Sequence, residues 1–299
     1  APQHTPALYS LMNYADMCLG TWYPEGGMGA VVNAFVKVAE DKGVKISYNS
    51  DVEKIVVENG RAVGVVVNGE LLRADTVIAS ADYQHVDQNL LDPQYRSYSS
   101  NYWDKRHMAP SSLLFYLGIR GELPRLDHHN LFFDRSLDAH SDAIYTDPKW
   151  PEEPLFYANC TSRSDETVAP KGHEALFLLI PIAAGLNDND SIRETYYERI
   201  MTRLEEHCKT TIRDRVVFKK SYCVKDFKTD YNAFKGNAYG MANTISQTAV
   251  LRPSIKSKNV KSLYFAGQLT VPGPGVPPAI ISGQLVAGQV EKEFNLVTA

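Results

Sequence analysis

Leu263-Tyr-Phe-Ala-Gly-Gln-Leu-Thr-Val-Pro-Gly-Pro-Gly-Val-Pro-Pro-Ala-Ile-Ile-Ser-Gly283 is the stretch of this 299-residue chain that decides its architecture. Ser262 to Ala266 is a short apolar strand, Thr270 to Pro278 a loop rich in Gly and Pro, and a helix is expected from about Pro277 to Phe294. Gly273 and Gly275 carry no side chain, so backbone there can come close to a ligand. Pro277 and Pro278 suit a first helical turn, whose N–H groups have no intrahelical partner anyway. A helix start aimed by such a loop favours negative charge. Ala279, Gly283, Ala287 and Gly288 give that helix a small-residue face for packing on a sheet or a cofactor. A merely tight strand-to-helix turn is the plainer alternative.

Working back along the chain, Val31, Val32, Phe35, Val38 and Ala39 repeat at helical spacing, which predicts a helix from about Met28 to Lys42 stopped by Gly43. The alternating segment Val44-Lys-Ile-Ser-Tyr48 follows and is read as a strand. Next come Val52 to Glu58, Arg61 to Val67 and Glu70 to Arg73, separated by Asn59-Gly60 and Asn68-Gly69. Asn-Gly suits the type I′ turn, which needs positive φ at both central residues, so these three segments form a meander. Asp75 to Ser80 is a further apolar strand, and Asp82 caps a short helix that ends before Pro93.

Between Ser111 and Val224 the pattern changes to strands at Leu113–Ile119, Leu131–Phe133, Leu155–Cys160, Ala175–Ile182 and Arg215–Tyr222. One long helix, about Ser191 to Cys208 after Asp190, carries Ile192, Tyr196, Ile200 and Leu204 on one stripe. A second domain with a mixed sheet and helices on one face, inserted in the first, is expected.

Composition narrows the function. At 44% hydrophobic residues the chain has ample core. A formal charge of −4 with scattered Lys and Arg gives no footprint for nucleic acid. The four cysteines, Cys18, Cys160, Cys208 and Cys223, have no CxxC spacing, so neither zinc nor a redox pair is signalled and free thiols in a reducing compartment are expected. Ala175 to Gly185 is too short for a bilayer span and is interrupted by Pro181. His128-His129 point to opposite faces of a strand and are expected as hydrogen-bonding residues rather than metal ligands. Glu25, Asp226 and Asp230 are conceivable bases, with solvated loops the plainer reading. The chain opens on Ala1-Pro-Gln-His-Thr-Pro, read as a truncated or processed start.

The Leu263–Gly283 stretch resembles the C-terminal flavin signature of bacterial-type phytoene desaturases. Trp22-Tyr-Pro-Glu-Gly-Gly-Met-Gly-Ala-Val-Val is similar to that family's segment beside the isoalloxazine, and Asp51-Val-Glu-Lys-Ile to the strand whose valine meets the adenine. Lys235-Gly-Asn-Ala-Tyr-Gly and Leu251-Arg-Pro extend the resemblance over nearly the whole chain. It implies FAD contacts at Val52, Gly267, Gln268, Gly275, Val276 and Pro277, with Gly26 and Gly27 at the boundary between flavin and substrate. It assigns no catalytic acid or base. The departure from the family is the GxGxxG βαβ unit that grips the FAD pyrophosphate, which is absent. Gly27-Met-Gly29 is preceded by Trp-Tyr-Pro-Glu, not a strand, and is no substitute.

The resemblance implies an α/β and α+β fold of the amine-oxidase type, Rossmann-like in its FAD part. Residues 23–83 and 258–296 would be the incomplete FAD-binding domain, and 1–22 with 84–257 the mixed-sheet substrate domain. The implied activity is FAD-dependent desaturation of phytoene or a related acyclic carotenoid by a cytoplasmic enzyme bound peripherally to a membrane surface. A carotenoid isomerase or another carotenoid desaturase shares the same site, and a non-catalytic module for apolar ligands is the reading from a different class. The chain alone is expected neither to retain FAD tightly nor to desaturate. Val77–Ala79 and Leu263–Phe265 should pair with each other, or with a companion chain or segment carrying the missing N-terminal unit.

Overall fold

The structure, a computed structural model, describes residues 5–294. Residues 1–4 and 295–296 of the expected domains lie outside them. Among the described residues ten strands are formed: β1 Val52–Glu58, β2 Arg61–Val67, β3 Glu70–Arg73, β4 Val77–Ala79, β5 Ser111–Arg120, β6 His129–Phe132, β7 Phe156–Cys160, β8 His173–Ile182, β9 Val216–Tyr222 and β10 Leu263–Phe265. Residues 7–47 and 111–225 make one compact unit, and 48–110 with 226 onward make another. These boundaries differ from the ranges read from the sequence, which divide the chain by expected role and not by packing.

In the second of these units β1, β2 and β3 form the expected antiparallel meander. Both turns have positive φ at both central residues, 50° and 74° at Asn59 and Gly60 and 52° and 76° at Asn68 and Gly69. Val44–Tyr48 is not a strand. Among the described residues it pairs with no strand edge, and Val44 and Tyr48 stay exposed.

β4 and β10 pair in parallel, Val77 opposite Leu263 and Ala79 opposite Phe265. Among the described residues β4 has no other strand partner, so its second edge is open. Leu263 and Phe265 are fully buried, and the Phe265 ring stacks on Tyr83 with centroids 3.6 Å apart. Burying such side chains stabilises a core by about 1.5–3 kcal/mol each. Asp82 caps the turn Tyr83–His85 through the His85 amide, 3.1 Å from Oδ1. Asp87 is wholly buried and accepts from the Ser97 amide at 2.7 Å, the Tyr98 amide at 3.2 Å and Trp103 Nε1 at 3.3 Å. Burial pushes its carboxyl above the usual range despite those bonds.

The other unit holds a five-stranded sheet in the order β6-β7-β8-β5-β9, antiparallel at every pairing, where a mixed sheet is expected. β6, β7 and β8 turn back on one another in sequence, and β5 lies antiparallel between β8 and β9. The helix Asp190–Cys208 covers one face, burying Tyr196, Ile200 and Leu204 as the stripe predicts. Its cap is Asn189, whose Oδ1 accepts the Ile192 amide at 2.9 Å, one residue before the expected Asp190. Two shorter helices, Leu137–Tyr145 and Val224–Tyr231, carry too few periodic apolar residues to be read from the sequence. Met28–Asp41 is helical as expected, yet Val32, Phe35 and Val38 on its apolar side remain more than half exposed. No helix among the described residues is long and apolar enough to cross a membrane.

Candidate functional site

β10 delivers the chain into a turn at Gly267, whose φ of 110° favours glycine. Two bonds hold that turn. The Ala266 amide donates to Ala79 O at 3.0 Å, and the Gly267 amide donates to Ser282 Oγ at 2.7 Å. Ser282 lies in the helix Val276–Glu293, so strand, turn and helix are fixed together. The helix is capped by Gly275, at φ 110° and ψ 159°, with prolines in its first turn.

Gln268 is pinned from the other side. Its Nε2 donates to Asn237 Oδ1 at 3.2 Å, and the same oxygen accepts the Gly240 amide at 2.6 Å. Asn237 is 1% exposed. A Cβ on Gly240 would stand 2.8 Å from Gln268 O, which explains why glycine occupies that close approach.

Between these pieces lies a cavity of about 410 Å³ lined by Ser80, Asp82, Tyr83, Phe227, Tyr231, Asn237, Gly267, Gln268 and Ala279. Its walls are mostly apolar with a few convergent polar groups, as cofactor and substrate sites are. Asp82 is the carboxylate in the wall. Burial raises its pKa, opposed by hydrogen bonds from the Phe234 and His85 amides.

The sequence-read residues divide accordingly. Gly267 and Gln268 line the cavity, and Gly275, Val276 and Pro277 open the helix whose Ala279 lines it. Val52 begins β1 opposite Val67 and is not part of the wall. Gly26 and Gly27 belong to the other unit. There the Gly26 amide donates to Asp165 Oδ2 at 2.9 Å, and Tyr23 OH approaches the same oxygen at 3.3 Å. Hydrogen bonds from the Thr167 hydroxyl and amide, at 2.6 and 2.9 Å, and from Gly26 and Tyr23 hold Asp165 below the usual carboxylate range. The Gly26 amide is thus taken by a carboxylate, and the Gly27 amide donates to Pro24 O at 2.9 Å.

Of the residues outside the sequence-read set, Asp82 lines the cavity and Arg252 packs beneath the Gly273 loop. Asp82 was legible only as a helix cap. Arg252, 4% exposed, bonds Met241 O at 3.1 Å and Asn243 Oδ1 at 2.6 Å, and a Cβ on Gly273 would stand 3.3 Å from its guanidinium carbon. Its only signal in the sequence was the Leu251-Arg-Pro similarity. The histidines do not point to opposite faces: His128 precedes β6 and the two rings lie 4.3 Å apart, with His128 Nδ1 2.9 Å from Ser164 Oγ and His129 Nδ1 2.5 Å from Tyr157 OH. Among the described residues no group of three His, Cys, Asp or Glu could hold a metal ion. Glu25 and Asp230 are exposed and Asp226 half-buried.

A model of the family described as flavin containing amine oxidoreductase matches residues 1–291. The chain is 42% identical to a carotenoid 3,4-desaturase of Haloarcula japonica, an alignment covering 96% of this chain and 58% of the relative. It is 32% identical to a zeta-carotene-forming phytoene desaturase of Myxococcus xanthus, covering 96% and 56% respectively. The likeness to carotenoid desaturases read from the motifs is thus matched by whole-chain similarity, over just over half the length of these curated relatives. A solved oxidoreductase of Methanosarcina mazei shares the fold with a TM-score of 0.65 at 17% identity, covering 94% of this chain and 58% of that one.

Proposed function

The chain belongs to the flavin containing amine oxidoreductase family, and from that premise we propose that it acts in the FAD-dependent desaturation of phytoene or a related acyclic carotenoid. The observation that carries this reading is the pinned Gly267–Gln268 turn, with its cavity, at the foot of the Val276–Glu293 helix.

The residues present fit the ring end of FAD. Gly267, Gln268 and Ala279 bound a space of about 410 Å³ at the foot of the last helix. Hydride abstraction from an allylic carbon is the chemistry that bound FAD supplies. The chain's own part is to hold and orient. Gln268, fixed by Asn237, presents backbone at the cavity, and the positive end of the helix at Val276 favours negative charge on a reduced ring. Asp82 engages both oxygens with backbone amides, so it shapes the wall and is not assigned as a base. The open face of the five-stranded sheet, with Tyr116, Phe177 and Phe218, offers the apolar surface a polyene needs.

The unit with the cavity is the FAD-binding part in this reading, and the unit with the five-stranded sheet the substrate-binding part. Pyrophosphate would be gripped by a companion chain or segment, whose parallel strand pairs on the open edge of β4. The exposed Leu11, Met12, Met17 and Trp22 motivate peripheral attachment to a membrane surface on the cytoplasmic side. Flotation of the protein with liposomes checks that: recovery in the dense fraction at low and high salt alike counts against it.

The activity is tested by combining the purified chain with a polypeptide carrying a GxGxxG unit, FAD and phytoene in liposomes, and following visible absorbance and chromatography. New conjugated double bonds are expected. Geometric isomers alone would point to an isomerase, and a colourless protein with unchanged phytoene to a non-catalytic module.

A further inference from the structure

We propose that the cavity on the open face of the five-stranded sheet recognises a hydroxyl group at the end of a long apolar chain, with the Asn159 carboxamide oxygen as its acceptor. This rests on the reading above that the sheet face carries a polyene, and names the class of end group it takes.

The cavity, about 450 Å³, is of the size that takes one end of a long ligand. Its floor is a row across three strands. Asn159 on β7 stands opposite Phe177 on β8, which stands opposite Tyr116 on β5. The Tyr116 and Phe177 rings lie 5.2 Å apart, and Phe218, Val168 and Pro170 complete apolar walls.

Asn159 is the exception in that floor. It is only 8% exposed. Its Nδ2 donates to Tyr157 OH at 2.7 Å, and that oxygen lies 2.5 Å from His129 Nδ1. A phenol that donates to His129 accepts from Asn159, which orients the carboxamide. Asn159 Oδ1 then has no partner among the described residues. A carbonyl oxygen in an apolar wall is satisfied by a donor. A hydroxyl supplies one, whereas an ether or a hydrocarbon of the same length does not. A carboxylate end group is disfavoured, since it brings no proton and must leave water beside Glu174, which also borders the cavity.

The test is calorimetric titration of the purified chain with phytol, phytol methyl ether and phytane in the same detergent. Phytol should bind roughly 3- to 10-fold more tightly than the other two, the range of one net neutral hydrogen bond. Asn159→Leu should erase that preference, phytol and phytane then binding equally tightly within the variant, and Asn159→Asp, which keeps an acceptor, should retain it. Circular dichroism of both variants controls for folding. Equal affinity for all three ligands, an ether bound as tightly as the alcohol, or a preference that survives Asn159→Leu overturns the proposal. Phytane binding without preference removes the hydroxyl recognition alone and leaves the desaturase reading to its own assay; binding of none of the three removes the cavity as a chain-end site.

Discussion

Ser282 Oγ accepts the Gly267 amide at 2.7 Å and donates to Ala279 O at 2.6 Å, so the turn after β10 is bolted to the second turn of the last helix. Ser282 is fully buried. Ser282→Ala strands the Gly267 amide and should lower stability by roughly 1–3 kcal/mol, read as a lower urea midpoint with an unchanged slope. An unshifted midpoint would show that the bond is not what holds the turn.

Gly275 caps the same helix at φ 110° and ψ 159°, a region open essentially to glycine alone. Gly275→Val should therefore lower stability by about 1–3 kcal/mol and weaken flavin binding in the reconstituted protein. Thermal melting and the flavin content after gel filtration measure the two effects. Wild-type values of both would remove Gly275 from the site.

Asp188, buried, meets Arg193 Nε at 2.6 Å and accepts the Lys225 amide at 2.7 Å. Burial alone would raise its pKa, but the bonds and the charge of Arg193 bring the net value below the usual range. A depressed folded-state pKa adds stability that is present above the ordinary carboxylate value and is lost as pH falls through the folded one. Asp188→Asn should cost about 1.5–3 kcal/mol at pH 7, because it removes the charge from the hydrogen bond to Arg193. The gap to wild type should narrow in acid. A gap that is constant from pH 7 to pH 3 would contradict the ion pair's role.

Cys18 is exposed, while Cys160, Cys208 and Cys223 are buried. Burial, with the carboxylate of Glu174 beside it, pushes the Cys160 thiol up to about 11. A thiol reagent at pH 8 should label one cysteine in the native chain and all four after denaturation. Rapid labelling of Cys160 in the native state would mean that the sheet opens there.

FAD titrated into the purified chain should show no tight, stoichiometric quenching of flavin fluorescence. The Gly26 amide is already taken by Asp165, and the cavity at Gly267 is suited to one end of the cofactor. Tight binding without an added polypeptide would place the pyrophosphate site within this chain after all.

Local chemistry made much of this legible. The two Asn-Gly pairs fixed the meander, and the Gly-Pro loop after Phe265 located the last helix and its Gly267 turn. Val44–Tyr48 misled because alternation signals a strand only where a partner edge exists. The order of strands in the sheet was hidden for a related reason: strand periodicity reports which face is buried, and says nothing about which neighbour is chosen. Asp82, Arg252 and Asn159 escaped notice as site residues because their roles depend on segments far away in sequence. Asp82 meets Phe234, Arg252 meets Met241 beneath Gly273, and Asn159 meets His129.

The open edge of β4 is only three residues long and offers few hydrogen bonds to an incoming strand. A contact that small is weak between free molecules. A strand tethered to the same chain arrives at a millimolar effective concentration, whereas a separate polypeptide arrives only at its own. If the complementing strand is supplied in trans, flavin retention should rise with protein concentration and fade on dilution. If it is supplied in cis, dilution should leave retention untouched.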